Sequence, residues 1–338
     1  MRHTEWKGTH DQMGLQQGAA MLACGQRILE HIPFEITPER LAYGQACIPV
    51  YQKYQPEVLE ELAGLAAGQQ TDVQTLGAVL FSMYAIPPAC FCSCFAAASE
   101  DGVVFGRNSD FLTALEAWNT NTIYRPRNGW AFMGHTTSFI QMEDGVNQWG
   151  LAVGLTSVAP SSPLRPGLNA GMLVRYLLEH CKTVSEALAR LEELPLGSSQ
   201  TLTLADRSGA LAVHESNSDR KAVYIPPVDG LHFVCATNRF HLPAMAGYDP
   251  GPVDDWFAER RYQTMYKALR SPCARADTAF ARKLLSGGYG FLCQYDRATG
   301  KDTVWSVVYD LRRGEIWRSE GNPRRCGYHA DRRFAIDG

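Results

Sequence analysis

Three residues whose side chains could build a nucleophilic site lie close together, on the two sides of a turn. Cys92 precedes Asp101-Gly102, and Arg107 and Asp110 follow it. Asp-Gly is a strong signal for a two-residue hairpin turn, so we expect the flanking segments to pair as antiparallel strands. Counting back from that turn places Cys92 opposite residues 109–111, where the Cβ atoms of facing residues come within roughly 5 Å. The pattern therefore predicts a thiol, a guanidinium and a carboxylate at one edge of a sheet.

This trio has a chemical interpretation and a structural one. A cationic neighbour stabilises a thiolate, and a carboxylate can orient the group that takes the proton, so Cys92 is a candidate nucleophile. In the structural interpretation, Cys92 is a buried and inert cysteine beside a surface ion pair of Arg107 and Asp110. The local pattern alone leaves both interpretations open.

Cys90, Cys92 and Cys94 alternate along the first of these strands, so their side chains point to the same face. A metal site would need further ligands, since zinc usually takes four, and no second Cys or His pair at ligand spacing appears. We therefore expect no metal and no other cofactor, with Cys94 packed below the nucleophile.

The elements around the trio divide the chain into a mainly helical first part and a mixed remainder. Pro56 opens an amphipathic helix that Gly68 ends, and a further helix runs from Val73 to about Tyr84, where Pro87-Pro88 stops it. Strands are predicted at 92–98, 103–106, 121–124, 131–133, 151–155, 201–204, 211–214, 233–236 and 304–309. Helices are predicted at 172–181, 184–194 and 256–269. This order favours a layered α+β domain with sheets covered by helices.

Composition excludes several classes of partner. The 338 residues carry a formal net charge of −3, so no strong field favours nucleic acid or an anionic membrane. Apolar stretches are too short for a membrane span, and the first residues lack the apolar segment of a signal peptide. Ten irregularly scattered cysteines favour reduced thiols. We expect a cytoplasmic protein that binds neither nucleic acid nor a membrane.

Cys92-Ser-Cys-Phe-Ala96 and Phe105-Gly-Arg-Asn-Ser-Asp110, joined by a turn that contains Gly102, resemble the nucleophile region of the choloylglycine hydrolase superfamily. The pattern there is Cys-Thr/Ser, a turn with Gly, and Gly-Arg-Asn-x-Asp. These N-terminal-nucleophile (Ntn) hydrolases include penicillin V acylases, bile salt hydrolases, acid ceramidase-like amidases and a branch similar to acyl-CoA:6-aminopenicillanic acid (isopenicillin N) acyltransferase.

Segments along nearly the whole chain resemble that acyltransferase-like branch. They are Gly8-Thr-His-x-x-Met-Gly-x-Gln-x-Gly18, Glu60-Glu-Leu-x-Gly-x-Ala-x-Gly68, Gly145-Val-Asn-Gln-Trp-Gly-Leu-Ala-Val-Gly-Leu-Thr156, Ala236-Thr-Asn-Arg-Phe240 and Thr303-Val-Trp-Ser-Val-Val-Tyr-Asp310. The resemblance implies a four-layer αββα Ntn sandwich at residues 92–338, preceded by a mainly helical propeptide at residues 1–91.

The resemblance also implies roles for single residues. Cleavage of the Phe91–Cys92 bond would make Cys92 the N-terminal nucleophile, and its freed α-amino group, with a typical pKa near 8, would be the general base. Arg107 and Asp110 would position the thiolate and the ammonium, and Asn238 would donate to the oxyanion. The second arginine of the family falls at Arg260 or Arg261, and the spacing from Asn238 leaves both open.

The implied enzyme is an autoprocessed zymogen that hydrolyses a linear amide, or transfers its acyl group, through a thioester. Its partners would be a small amide substrate (an N-acyl amine, an N-acyl amino acid or a β-lactam side-chain amide) and its own propeptide in a heterodimer. A homo-oligomer is left open. The alternative is an unprocessed, non-catalytic Ntn-fold binding protein.

Three positions depart from the family pattern. Phe91 stands before the nucleophile, where many members have Gly or another small residue. Thr156 replaces the Asn or Tyr of bile salt hydrolases, so a second oxyanion donor would be backbone or absent. Arg239 replaces a His, which predicts either a pocket for a substrate carboxylate or ion pairs with nearby acidic residues. The acidic candidates are Asp254, Asp255 and Glu259.

Overall fold

The structure is a computed structural model, and it describes residues 1–86 and 91–336. Cys90, and the Pro87-Pro88 pair that was predicted to end a helix, lie outside these ranges. The helices are α1 His10–Ala23, α2 Pro38–Tyr54, α3 Pro56–Gln69, α4 Val73–Ser82, α5 Ala170–His180, α6 Val184–Glu193, α7 Ala258–Leu269, α8 Thr278–Leu285 and α9 Pro323–Cys326. The strands are β1 Arg2–Gly8, β2 Phe91–Ala98, β3 Val103–Leu112, β4 Thr120–Pro126, β5 Phe132–Thr136, β6 Asp144–Asn147, β7 Ala152–Ser157, β8 Gln200–Ala205, β9 Leu211–Ser216, β10 Lys221–Tyr224, β11 His232–Ala236, β12 Lys301–Asp310, β13 Glu315–Ser319 and β14 His329–Asp331.

The strands form two sheets that pack face to face between helices. One sheet has the order β1-β4-β5-β6-β7-β8-β9-β10, and the other has the order β11-β2-β3-β12-β13-β14. Residues of both sheets, Phe105 and Val146 among them, share the core between them. Helices α1 to α6 cover the outer face of the first sheet, and α7 and α8 cover the second. The layers therefore follow the order α, β, β, α, and the predicted fold class is confirmed.

The N-terminal segment is defined here as residues 1–91, and its described residues contain four helices and one unpredicted strand. Side chains of Thr9, Thr37 and Asp72 cap three of the helices by accepting a backbone N–H of the first turn. Helix α2 was not predicted, because Pro49 interrupts its pattern. No helix in the described part of the chain is long and apolar enough to cross a membrane.

The first residues form a strand that was not predicted in this mainly helical segment. Strand β1 pairs in parallel with β4, from Arg2 opposite Thr120 to Gly8 opposite Pro126. Its side chains are alternately half-buried and exposed, as expected for a strand at a sheet edge. The N-terminal segment is therefore built into the first sheet and does not simply lie over it.

The hairpin of β2 and β3 also differs from the prediction. The Ser99 N–H donates to Gly102 O at 3.0 Å, so the two-residue turn is Glu100-Asp101, one position earlier than expected. Cys92 pairs with Ser109, within the predicted range of 109–111, and Asp110 pairs with Phe91. Because side chains alternate along a strand, the side chains of Cys92 and Asp110 lie on opposite faces of the sheet.

Buried ion pairs join the N-terminal segment to helix α5. Arg175 binds both carboxylate oxygens of Glu61, at 2.8 and 2.6 Å, and His10 Nε2 lies 2.5 Å from Glu179 Oε1. All four side chains are buried. Separating the segment from α5 would break both contacts and leave Glu61 without its arginine, which is costly in a protein interior.

Helices α1 and α3 cross at four glycines. A Cβ atom on Gly14 would lie 2.0 Å from Glu61 O, and one on Gly64 would lie 2.1 Å from Asp11 O. Gly18 and Gly68 make the same kind of backbone approach one turn further along. Only glycine, which has no side chain, allows the two helix backbones to pack this closely.

We predict that Gly14→Ala lowers the free energy of unfolding of the full chain by about 1–3 kcal/mol, since the added methyl group must push the two helices apart. Thermal or urea unfolding measures the change. Gly247→Ala is the matched control, because no atom lies within 4 Å of its added Cβ. Equal stability of the two variants would contradict the tight crossing.

Candidate active site

Cys92 lies in β2, inside the second sheet, and its side chain is fully buried. The guanidinium of Arg107, from the neighbouring strand β3, lies beside it: Nη2 is 2.7 Å from Cys92 Sγ. The guanidinium therefore donates directly to the sulfur that was predicted to be the nucleophile. The predicted proximity of Cys92 and Arg107 is present in the structure.

The Arg107 guanidinium is also fully buried and is held from several sides. Its Nε donates to Leu155 O at 3.0 Å, and its Nη1 donates to Asp144 Oδ2 at 3.0 Å. Glu143 Oε2 lies 3.3 Å from Nη2, the same nitrogen that contacts the sulfur. These contacts fix the direction in which the guanidinium faces Cys92.

Asp144 is the carboxylate that compensates Arg107. Besides Arg107, it accepts hydrogen bonds from His135 at 2.7 Å, Trp305 at 3.1 Å and Tyr309 at 3.0 Å. Burial alone would raise the pKa of Asp144, but the charge and hydrogen bond of His135, together with Arg107, lower it to about 2. The anion is therefore stable in the interior.

Glu143 and Asp144 were not predicted as site residues. They stand immediately before the central motif that begins at Gly145, Glu143 just before β6 and Asp144 as its first residue. An acidic pair at the start of a strand that is otherwise buried was the available signal, because buried carboxylates need cationic partners.

On the backbone side of Cys92 lie Asn238 and Arg261. The Cys92 N–H donates to Asn238 Oδ1 at 3.0 Å, and Asn238 Nδ2 donates to Ser157 O at 2.7 Å. Arg261 donates to Cys92 O at 2.5 Å and to Ser93 Oγ at 2.9 Å. Its Nη2 also donates to Asn238 Oδ1 at 2.9 Å, so the two connected side chains hold the backbone N–H and C=O of Cys92.

The structure separates the two candidate arginines. Arg261 is fully buried in this cluster, whereas Arg260 is exposed and lies over the ring of Phe291, 4.6 Å from its centroid. Adjacent residues of a helix point in different directions, so only one of the pair can face the sheet.

Asp110 lies near Arg261 and away from the sulfur. Its carboxylate accepts from Thr303 Oγ1 at 2.6 Å and from Tyr295 Oη at 3.1 Å, and Arg261 Nη1 is 3.6 Å away. Burial raises the pKa of Asp110 to about 6, against the opposing effects of Arg261 and of these hydrogen bonds.

The departures from the family pattern have distinct surroundings. Arg239 pairs with Asp255 at 2.5 Å and with Asp249 at 3.0 Å, which supports the ion-pair alternative over a pocket for a substrate carboxylate. The hydroxyl of Thr156 is buried and has no hydrogen-bond partner among the described residues. Cys94 is buried as well, and burial raises the pKa of its thiol well above the usual range, so this cysteine is unreactive.

A small aromatic cavity of about 60 Å³ lies close to the cluster. Phe34 and Tyr84 of the N-terminal segment and Trp118 and Phe139 line it. Thr137 also lines it and donates its hydroxyl to Glu143 Oε1 at 2.7 Å. One carboxylate therefore lies between this cavity and Arg107.

Comparisons with solved structures find low sequence identity. Penicillin V acylase from Agrobacterium tumefaciens is 18% identical over 68% of this chain and 83% of its own, with a TM-score of 0.46. An ortholog of N-acylethanolamine-hydrolyzing acid amidase from Caenorhabditis elegans is 19% identical over 65% and 93%, with a TM-score of 0.47. A variant of conjugated bile acid hydrolase from Clostridium perfringens is 16% identical over 73% and 94%, with a TM-score of 0.44.

The search of curated proteins finds no match. A family model, by contrast, matches residues 97–325, well over half of the chain, and its description is acyl-coenzyme A:6-aminopenicillanic acid acyl-transferase. The match confirms the resemblance drawn from the sequence motifs. The chain is a member of the acyl-coenzyme A:6-aminopenicillanic acid acyltransferase family.

Proposed function

We propose that the protein is a cysteine Ntn enzyme that cleaves its own Phe91–Cys92 bond and then acts on a linear amide through a thioester. The contact of 2.7 Å between Arg107 Nη2 and Cys92 Sγ carries this proposal, because it places a buried cation on the one sulfur that would be the nucleophile. Residues 1–91 would become a separate chain, and residues 92–338 would form the catalytic chain.

Self-cleavage begins with attack of the Cys92 thiol on the Phe91 carbonyl carbon. A C–S bond forms, the C–N bond breaks, and the nitrogen of Cys92 leaves as an amine that carries the thiol proton. Water then hydrolyses the thioester, which frees the thiol and gives Phe91 a carboxylate. Asn238 holds the Cys92 nitrogen that becomes the amine, and Arg261 holds the carbonyl oxygen of Cys92, so the residue stays in place during these steps.

In turnover, the freed amine takes the thiol proton, and the thiolate attacks the acyl carbon of the substrate. The amine returns a proton to the leaving nitrogen, and water or a second amine resolves the thioester. Asn238 Oδ1, which accepts the Cys92 N–H in the unsplit chain, would then hold this amine. Asn238 Nδ2 is the end of the amide that could donate to the oxyanion.

We predict that Cys92→Ala remains a single chain of full mass, whereas wild type splits into residues 1–91 and 92–338. Intact-mass spectrometry of freshly purified protein measures this. Cys94→Ala is the matched control and should still split, because its buried thiol is unreactive. Splitting of Cys92→Ala, or an unsplit wild type that is active, would contradict the proposal; an unsplit and inactive protein would favour the binding-protein alternative.

The role of Asn238 gives a second prediction. Asn238→Ala should lower kcat by roughly 10²- to 10³-fold with a smaller effect on KM, because an oxyanion donor acts mainly in the transition state. Steady-state kinetics on a cleavable amide measures both constants. Asn238→Asp keeps the acceptor oxygen and removes the donor, so it should be equally slow. Full turnover by either variant would remove Asn238 from the site.

The pKa of Asp110 predicts how stability depends on pH. Its folded value of about 6 exceeds the ordinary value of 3.8, so the folded chain binds the proton more tightly than the unfolded chain. This contribution to stability is complete below the ordinary value and is lost as pH rises through the folded value.

We therefore expect the unfolding free energy to fall by roughly 2 kcal/mol from about pH 4 to about pH 6 through this residue. Urea unfolding of Cys92→Ala, which stays unsplit, is compared with that of Cys92→Ala carrying Asp110→Asn. The unfolding free energy of Cys92→Ala minus that of the double variant should fall as the pH rises over that range. Parallel pH profiles would show that Asp110 does not titrate there.

A further inference from the structure

The last residue of the N-terminal segment, Phe91, is held by aromatic side chains from the catalytic part of the chain. Its ring stacks on Trp256, with centroids 4.6 Å apart and planes 16° from parallel. Tyr295 meets the Trp256 ring edge-on, with centroids 5.6 Å apart. Trp256 is 4% exposed, so the departure of Phe91 would leave an aromatic surface beside Cys92.

Hydrogen bonds connect this aromatic surface to the residues around Cys92. Trp256 O accepts from Arg261 Nε at 3.0 Å, and Tyr295 Oη donates to Asp110 Oδ2 at 3.1 Å. The two aromatic residues therefore have fixed positions relative to the side chains that hold Cys92 and Phe91.

The backbone at Trp256 is strained. Trp256 and Phe257 have φ angles of 52° and 62°, in the left-handed region that residues with a side chain rarely adopt. Consecutive residues in this conformation persist only where the surroundings enforce it, and such positions cluster at functional sites. This backbone conformation places the indole against Phe91 just before α7 begins.

Phe91 supplies an acyl group in the same position as a substrate. In the self-cleavage proposed above, on which this inference rests, Cys92 attacks the Phe91 carbonyl carbon, and in turnover it attacks the acyl carbon of the amide. The substituent on the attacked carbon therefore points to the same place, and in Phe91 a phenyl ring is attached through two carbons. We propose that Trp256 and Tyr295 form the acyl pocket. The preferred substrates are amides of arylalkanoic acids, with 3-phenylpropanoic acid as the type compound.

Hydrolysis of such an amide needs water as the only other reactant. The Cys92 thiolate forms a C–S bond to the arylalkanoyl carbon, the C–N bond breaks, and the amine leaves with the proton of the Cys92 ammonium. Water hydrolyses the thioester to the arylalkanoic acid and restores the thiol. Stacking against Trp256 should favour an aromatic ring over a saturated ring of the same size by roughly 2- to 12-fold in kcat/KM.

The test compares the p-nitroanilides of 3-phenylpropanoic and 3-cyclohexylpropanoic acid on the split enzyme. Wild type should prefer the phenyl compound by the ratio above, and Trp256→Leu should bring the ratio close to one. Trp256→Phe should restore part of the preference. Trp317→Leu is the matched control, since Trp317 lies on β13 under Arg282, and it should keep the wild-type ratio.

A further variant separates the acyl pocket from the cleavage step. Phe91→Ala should split more slowly, but the catalytic chain that it releases is identical to wild type and should show the same ratio. Binding of the two free acids, followed by tryptophan fluorescence of split wild type and of split Trp256→Phe, gives the same comparison without an amine part. It remains informative if Trp256→Leu does not fold.

If split wild type cleaves the two p-nitroanilides equally well, or prefers the cyclohexyl compound, the proposed acyl pocket is wrong. The same follows from a ratio that responds to Trp118→Leu, in the other aromatic cavity, and not to Trp256→Leu. Both results leave the amidase proposal standing. Failure of the chain to split, or the absence of Cys92-dependent turnover on any amide, overturns the proposed function itself and the acyl pocket with it.

Discussion

The buried positive charge of Arg107 is the constraint on which the site depends. A guanidinium without access to water costs several kcal/mol or more unless carboxylates and hydrogen bonds compensate it. Asp144 and Glu143 provide the negative charge, and Asp144 needs further donors of its own, which come from both sheets. The two sheets are thereby joined by a polar network inside an apolar core, and the thiol of Cys92 lies at its end.

The parts of this arrangement that the sequence predicted are local ones. Short apolar runs between turn signals marked most of the inner strands, and one hairpin brought Cys92 and Arg107 together. The turn lies one position earlier than expected, which shifts the pairing by two residues and leaves every side chain on its face. Asp110 was placed beside Cys92 because the expected range of 109–111 includes residues of both faces, and strand faces alternate with every residue. Strand β1 escaped prediction because an edge strand with polar alternation has no apolar run.

The remaining parts could not be found by spacing. His135, Tyr295 and Trp305 reach the site from elements far apart in the sequence, and no local pattern relates one to another. The choice between Arg260 and Arg261 depends on the rotation of α7 about its axis, which tertiary packing decides. Arg239 shows the converse: a charged residue beside a site residue is satisfied by loop carboxylates and need not meet a ligand.

The pairing of strand β1 at the edge of the first sheet affects how the protein folds and how it recovers after unfolding. In one continuous chain, β1 reaches β4 by an intramolecular search, and folding is first order. A cut between residues 91 and 92 would make the same pairing a reaction between two molecules, governed by their concentration. A split enzyme that unfolded at low concentration would then recover poorly, and its working life would be set by the rate of unfolding more than by the equilibrium.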